Sequence, residues 1–360
     1  MSQERRGARA VAAVPTLRGV RRLAGWGLAA ALLLGLATAG PAPAVRAGGR
    51  GMQGSAAALR RPPLILGTNL GLFDSSDRVV TSRRAQILLR RARVPIIRMP
   101  FRSPGGSILE LQALRAIQYI GAIPLVIIHG PTDPEARADD LHLLALVRSV
   151  FGNGTVYVEF GNEPNLLGIG AQRYAAAWNQ VIPALQSRSP TYRFVGPATS
   201  VPDPAYIATF DRLAHPRPYA DSWHEYACLP SNTDGYCLRH LASWTADIER
   251  VNAAVGAAIG TTLPVMFTEW NLDGQPDPRQ QSPGFMRDWT ELALATLRGD
   301  VGLGLVAALQ YCVSNNGAEE LIGRGDRLTP EGQVYFQALR HSMSSSPVPN
   351  SEVAAAWHAP

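Results

Sequence analysis

Residues 156–165 read VYVEFGNEPN, and residues 264–271 read PVMFTEWN. Each stretch begins with an apolar, β-branched run and has a glutamate, Glu163 or Glu269, where a strand would stop. Continuous apolar runs are typical of parallel strands that are covered by helices. One glutamate after a strand could serve only the dipole of the following helix. Two in equivalent positions predict paired carboxylates at one end of a parallel sheet.

Strand and helix patterns alternate along most of the chain around these two stretches. The predicted strands lie at residues 64–69, 94–99, 123–129, 155–162, 192–198, 220–226, 264–270 and 304–311. The predicted helices lie at residues 82–93, 108–121, 138–151, 171–187, 205–214, 238–258, 285–298 and 330–343. Eight of each is the count of a (β/α)8 barrel, and the span is slightly longer than the roughly 250 residues typical of that fold. The sequence therefore predicts an α/β protein with a single (β/α)8 TIM barrel.

The N-terminus has the pattern of an export signal. Six arginines between residues 5 and 22 precede an apolar stretch at residues 23–39, and small residues follow. The apolar stretch approaches the lower length limit of a membrane-spanning helix, so an uncleaved signal anchor is the alternative to cleavage. We expect a secreted or extracytoplasmic protein, which would be membrane-anchored if the segment is retained.

The predicted domain boundaries follow from this pattern and from composition. Residues 1–47 form the signal peptide or signal anchor, and residues 48–62, rich in Gly, Ala and Arg, form a flexible linker. Residues 63–345 form the barrel domain. Residues 346–360 are rich in Ser, Pro and Ala and are expected to be a disordered tail.

The charge distribution argues against nucleic acid as a partner. The chain has a net charge of +6 and a pI near 9.5, but ten arginines and one acid in residues 1–62 alone contribute +9. The remaining residues therefore carry −3, and the predicted barrel lacks the basic surface that phosphate binding requires.

The three cysteines do not have the spacing of a metal site. In an exported protein, Cys228 and Cys237 could close a short disulfide loop and leave Cys312 free on a buried strand. The alternative is three unpaired, mostly buried thiols. An oxidising compartment favours the disulfide.

Further polar residues follow other predicted strands. Arg98, His129, His224 and Tyr226 each stand at or near a strand end, as Glu163 and Glu269 do. In a (β/α)8 barrel the reactive groups sit at the carboxyl ends of the strands, so these side chains should converge at one mouth. Each histidine alone would more often be a structural residue, because imidazole hydrogen-bonds readily in many settings. Their shared position favours a functional role.

At these positions the chain resembles the large clan of retaining (β/α)8 glycoside hydrolases, over nearly all of the predicted barrel. Asn162-Glu163-Pro164 looks like the acid/base motif of that clan, and Thr268-Glu269-Trp270 looks like its nucleophile strand. The finer pattern is similar to the cellulase-like family 5, which has arginine on strand two, histidine on strand three and His-x-Tyr on strand six. Family 39 is also close.

The resemblance implies a division of roles for hydrolysis of β-glycosidic bonds by double displacement. Glu163 would be the general acid/base and Glu269 the nucleophile. Arg98 and the Tyr226 hydroxyl would keep Glu269 ionised. Asn162 would donate a hydrogen bond to the sugar 2-hydroxyl. His129 and His224 would orient the sugar and the acid/base.

The sequence departs from family 5 on strand eight, where a tryptophan platform is usual. Residues 308–312 read ALQYC instead, and Tyr311 could stack against the sugar in its place. Trp270 and Trp223 are other candidate platforms, because flat aromatic faces suit pyranose rings, although either could equally belong to the core. Glu225 should point away from the face that bears His224 and Tyr226, because side chains alternate along a strand.

The expected partner is a polysaccharide or oligosaccharide, and we expect a monomer that needs no cofactor and no metal. One alternative is a non-catalytic or weakly active glycan-binding barrel at the cell surface, which would have little reason to keep both acids. Another is a barrel enzyme of unrelated chemistry, since this fold hosts many reactions. That enzyme would need a metal or phosphate site, and the sequence has no pattern for either.

Overall fold

The computed structural model describes residues 64–101, 107–131, 136–274, 277–314 and 320–344. Eight parallel strands close into a barrel in chain order, with the last strand paired to the first. The barrel strands are β1 Ile65–Asn69, β2 Ile96–Met99, β3 Ile123–Ile128, β4 Val156–Phe160, β5 Tyr192–Thr199, β6 Asp221–Tyr226, β7 Val265–Asn271 and β8 Leu305–Gln310. This confirms the predicted (β/α)8 TIM barrel.

Helices follow the strands and form the outer layer. They are α1 Arg78–Thr81, α2 Arg83–Ala92, α3 Ser107–Ile120, α4 Ala136–Phe151, α5 Ala171–Arg188, α6 Pro204–Leu213, α7 Asp234–His240, α8 Ala242–Ile259, α9 Pro283–Gly299 and α10 Pro330–Ser344. Local signals in the sequence explain several helix starts. The side chains of Ser82 and Asp203 cap α2 and α6, and Pro204 and Pro283 occupy first-turn positions where no backbone donor is needed.

Three parts of the fold differ from the predicted pattern, the first being the short helix α1, which precedes the helix predicted at residues 82–93. The single helix predicted at residues 238–258 is two helices, α7 and α8, which meet at Leu241. The Thr233 side chain caps α7 and starts it earlier than the apolar periodicity alone indicates. A two-stranded antiparallel pair between β8 and α10, β9 Ile322–Gly323 with β10 Arg327–Leu328, was not predicted, because it is too short to produce a periodic pattern.

The core has two layers, because alternate residues of each strand face opposite sides. A small inner cluster fills the barrel and includes Ile96, Leu125, Tyr157 and Met266. A much larger outer cluster lies between the strands and the helices. The aromatic residues Trp244, Trp270, Trp289 and Tyr335 pack together in it, with ring centroids 5.9–6.4 Å apart.

A bulge between β6 and β7 decides which residues of β7 face the barrel interior. Trp223 pairs with Phe267, but the next residue of β6, His224, pairs with Glu269, so Thr268 is an extra residue in β7. Met266 belongs to the inner cluster, and strict alternation from it would turn Glu269 toward the helices. The extra residue instead brings Glu269 to the inner face, which is a recognised use of bulges beside functional sites.

The predicted signal segment, the linker and the tail after residue 345 lie outside the described residues. Within the described part of the chain, no helix combines the length and the apolar character needed to cross a membrane.

Candidate active site

Arg98, on β2, connects the polar residues at the carboxyl ends of the strands. Its side chain is 2% exposed and donates to Glu159 Oε2 at 2.7 Å and to Glu269 Oε1 at 2.5 Å. It also donates to Asn69 Oδ1 at 3.0 Å and to Asn162 Oδ1 at 2.6 Å. Burial alone would lower the pKa of Arg98, but the charges of Glu159 and Glu269 raise it above its ordinary value. The buried, charged guanidinium of Arg98 therefore fixes the carboxylates of Glu159 and Glu269.

Glu269 is held in the ionised form. The Tyr226 hydroxyl donates to Glu269 Oε2 at 2.7 Å, and His224 Nδ1 lies 3.5 Å from the same oxygen. Burial raises the pKa of Glu269, but the charges of His224 and Arg98 and the hydrogen bonds from Tyr226 and Arg98 outweigh it and lower the pKa below its usual range. Such a carboxylate is suited to attack an electrophilic carbon and poorly suited to donate a proton.

The hydrogen bond from Tyr226 leads to a testable expectation. Under the nucleophile role that the sequence resemblance implies for Glu269, Tyr226→Phe should lower turnover more than about tenfold, because a hydrogen bond to a charged group typically contributes about 1.5–3 kcal/mol. The bond favours ionised Glu269, so its loss should raise that pKa and move the acid limb of the pH–rate profile to higher pH. Tyr119→Phe on α3 is the matched control. Unchanged turnover and an unchanged acid limb in folded Tyr226→Phe would contradict this role.

Glu163 has different surroundings. It follows β4 in a left-handed conformation with φ 49°, and its backbone N–H donates to Ala198 O at 2.9 Å. Gly161 permits this turn, because it has φ 81° and a Cβ there would lie 3.0 Å from Gly130 Cα. The Glu163 side chain is 30% exposed, and its Oε1 lies 2.9 Å from His224 Nδ1. Glu163 therefore faces the solvent side of the barrel mouth.

The two acids lie close together with His224 between them. Ligand atoms of Glu163, His224 and Glu269 all lie within 4.8 Å of one another. Such a cluster could in principle hold a metal ion, but the Arg98 guanidinium contacts Glu269 at 2.5 Å and its positive charge opposes a cation there. The donor set fits a pair of reacting carboxyl groups better than a metal centre.

His129 lies at the end of β3 but makes its described contacts away from the two acids. Its Nδ1 is 2.8 Å from Asp140 Oδ1 on α4, and its ring centroid is 3.9 Å from that of Phe101. Asp140 also accepts from the His129 backbone N–H at 2.8 Å. These contacts fix the ring at the mouth. The proposed contact with a sugar stays a prediction.

The structure corrects the interpretation of two tryptophans. Trp270 and Trp223 are fully buried and pack in the outer cluster, Trp270 on Trp244 and Trp223 on Phe267. Their rings face the helices, because they lie on the strand face opposite the inward-facing acids, so neither is a sugar platform. Tyr311 follows β8 and is partly buried. Its role in stacking stays a prediction.

Other sequence expectations can be placed directly. Glu225 points away from the acids and accepts from Trp223 Nε1 at 2.7 Å. Cys228 and Cys237 are joined by a disulfide, with their Cα atoms 5.0 Å apart. Cys312 is buried and takes no part in it.

Three residues of the site were not predicted, namely Glu159, Ser222 and Asn69. Glu159 is completely buried and receives hydrogen bonds from Arg98 and, at 2.8 Å, from Ser222 Oγ. Asn69 accepts from Arg98 and donates to Thr268 O at 3.0 Å, so it links β1 to β7. The charged residue inside the apolar run VYVEF was the available signal, because a buried carboxylate needs a partner.

No protein-family model matches the sequence, and no curated protein matches it. Solved structures do match in fold. One is an α-L-arabinofuranosidase from Thermotoga maritima, with 16% identity over 78% of this chain and 71% of that chain and a TM-score of 0.55. A GH39 β-xylosidase from Caulobacter crescentus has 17% identity over 78% and 71%, with a TM-score of 0.54. A 4-O-α-L-rhamnosyl-β-D-glucuronidase from Fusarium oxysporum has 13% identity over 77% and 69%, with a TM-score of 0.56. At these identities, the likeness shows that the chain shares the (β/α)8 barrel fold of these proteins.

Proposed function

We propose that this chain is a retaining glycoside hydrolase that cleaves β-glycosidic bonds of an oligosaccharide or polysaccharide. One observation carries the proposal: at the barrel mouth a carboxylate oxygen of Glu163 and one of Glu269 lie within 4.8 Å of each other, with Glu269 buried against Arg98 and Glu163 partly exposed. Carboxyl groups about 5–5.5 Å apart are typical of retaining enzymes, whereas inverting enzymes need roughly 6.5–9.5 Å to admit a water between them.

The first half-reaction makes a covalent intermediate. Glu269, ionised and held by Arg98 and Tyr226, attacks the anomeric carbon while the bond to the leaving oxygen breaks. Glu163 gives its proton to that oxygen, so the leaving group departs as a neutral alcohol. The anomeric carbon is then joined to Glu269 as an ester, with inverted configuration.

The second half-reaction restores the enzyme. Glu163, now a carboxylate on the more exposed side of the mouth, takes a proton from water as the water attacks the anomeric carbon. Glu269 leaves as a carboxylate that Arg98 and Tyr226 again stabilise. Two inversions give net retention. Because Arg98 holds the Asn162 carbonyl oxygen at 2.6 Å, the Asn162 amide nitrogen is left to donate to a sugar hydroxyl.

The similar structures support the reaction class without fixing the substrate. The neighbours named above include an arabinofuranosidase and a xylosidase, so barrels of this shape are used to hydrolyse glycosides. The β-linkage is proposed here from the resemblance of the Asn-Glu-Pro and Thr-Glu-Trp sequences alone.

The direct test is turnover by the purified protein. Aryl β-glycosides of glucose, xylose, mannose and arabinose, together with β-glucans, xylans and mannans, should include at least one substrate that is hydrolysed. The first sugar released should keep the anomeric configuration of the substrate when it is followed by NMR. Inversion would exclude the double displacement. Saccharide binding without any hydrolysis would instead favour the glycan-binding barrel.

A further inference from the structure

A cavity of about 700 Å³ adjoins His224 and Tyr226, the side chains that contact Glu163 and Glu269, and it extends past the end of β6. His224 and Tyr226 line its inner end, and Asp247 and Arg250, both on α8, line its outer part. We call it the side cavity. Its volume falls within the range of small-ligand sites, about 300–1,000 Å³. A substrate that fills the catalytic centre therefore has adjoining space in the direction of α8.

The wall of the side cavity is a cross-linked loop. The disulfide between Cys228 and Cys237 closes it. Arg279 donates to the backbone oxygens of Leu229 and Asn232, each at 2.7 Å, and pairs with Asp277 at 2.5 Å. A loop fixed in this way loses little conformational freedom when a ligand binds.

This wall presents apolar side chains to the solvent. Tyr236 is 41% exposed and stacks on His240, with ring centroids 5.0 Å apart and an interplanar angle of 17°. Leu229, on the same loop, and Val201, across the cavity, are more than half exposed. By contrast, Trp223 and Trp270 are fully buried. Tyr236 is thus an exposed aromatic ring on a rigid wall beside the catalytic centre, and such rings suit the apolar faces of pyranoses.

The lining on the α8 side is polar but carries little net charge. Burial, followed by the charge of Asp247, raises the pKa of Glu225 well above its usual value. Asp247 itself forms an ion pair with Arg250. Ser243 and His240 add further hydrogen-bonding groups. Carboxyl and hydroxyl groups can bond to sugar hydroxyls, whereas a negatively charged sugar would meet three acids, Glu225, Asp247 and Asp273, with the single arginine Arg250.

We propose that the side cavity is a second sugar subsite, which binds a neutral sugar unit next to the scissile bond with Tyr236 as its stacking platform. The proposal rests on the proposed glycoside hydrolase function and adds the chemical class of the substrate: a neutral oligosaccharide or polysaccharide chain. The disulfide positions the platform, because Cys237 directly follows Tyr236 in the chain.

Binding and turnover test the subsite separately. Calorimetry with cellotetraose, xylotetraose and mannotetraose would use the full chain carrying Glu269→Gln, so that binding is measured without hydrolysis. At least one tetrasaccharide should bind. Adding Tyr236→Ala should weaken it about tenfold, because a stacked aromatic contact is worth about one factor of ten. Tyr236→Phe should retain most of the affinity, since it keeps the ring. Leu292→Ala, at an exposed position on α9, is the control.

In the otherwise native enzyme, Tyr236→Ala should lower kcat/KM for the tetrasaccharide about tenfold more than for the 4-nitrophenyl monoglycoside of the same sugar. Equal affinity in Glu269→Gln with and without Tyr236→Ala would overturn the subsite, as would a lack of binding by all three tetrasaccharides. A Tyr236-dependent affinity for octyl glycosides alone would overturn it in favour of an apolar leaving group. Tyr236-dependent binding by a protein that hydrolyses nothing would keep the subsite and refute the catalytic proposal.

Discussion

Glu269→Ala should lower turnover of an aryl glycoside by about 10⁴-fold or more, the scale of loss expected when a nucleophile is removed. The covalent intermediate cannot form without this carboxylate, and the remaining acid cannot replace it. Added azide should occupy the space of the missing side chain and attack the anomeric carbon directly. A single inversion from a β-glycoside would then give the α-glycosyl azide.

Two controls make this result specific. Glu291→Ala removes an exposed carboxylate on α9 and should leave turnover unchanged. Glu269→Gln keeps the size of the side chain and its contact with the Tyr226 hydroxyl, so it separates loss of the nucleophile from collapse of the site. A folded Glu269→Ala protein with parental activity would show that Glu269 is not the nucleophile.

Glu163→Ala should have an effect that depends on the leaving group. For a substrate whose leaving group needs a proton, turnover should fall on the order of 10²–10⁴-fold, the usual contribution of general acid catalysis. A 2,4-dinitrophenyl glycoside needs no proton, so its first step should stay fast and the covalent intermediate should accumulate. Azide should then speed its breakdown and give the β-glycosyl azide, the product of two inversions.

The azide products decide between the two roles. The Glu163→Ala and Glu269→Ala variants should give opposite anomers of the glycosyl azide. Azide replaces water in Glu163→Ala and replaces the nucleophile in Glu269→Ala. The β-azide from Glu269→Ala together with the α-azide from Glu163→Ala would reverse the assignment. An equal loss of activity for good and poor leaving groups in Glu163→Ala would argue that this residue only shapes the site.

The sequence predicted the strands well because each is a continuous apolar run, and the polar residues at their ends follow from the parallel barrel. The contacts of Arg98 with Glu159 and Asn69 required coordinates, since they join three different strands. The inward direction of Glu269 also depends on the bulge at Thr268, which leaves no periodic signal. Alternation did place Glu225 correctly, because the β6 side chains keep a strict two-residue period.

Tertiary packing also determines which way the tryptophan rings face. An aromatic residue beside a predicted nucleophile has the same sequence signal whether it faces a sugar or the helices. Trp270 faces the helices, because Glu269 before it faces inward. The sequence does not single out Tyr236 as a platform, because its exposure depends on where the disulfide loop lies relative to the barrel mouth.

The left-handed backbone at Glu163 has an evolutionary consequence. Non-glycine residues in this region cost about 1–2 kcal/mol each, and Ala198, which accepts the Glu163 backbone hydrogen bond, has a similar φ of 53°. Selection for folding stability alone would replace Glu163 with glycine or asparagine, which tolerate this conformation. Under selection for the proposed role of its carboxyl group, a glutamate is expected to persist there despite this cost. In descendants that lost the activity, this position would be among the first to drift.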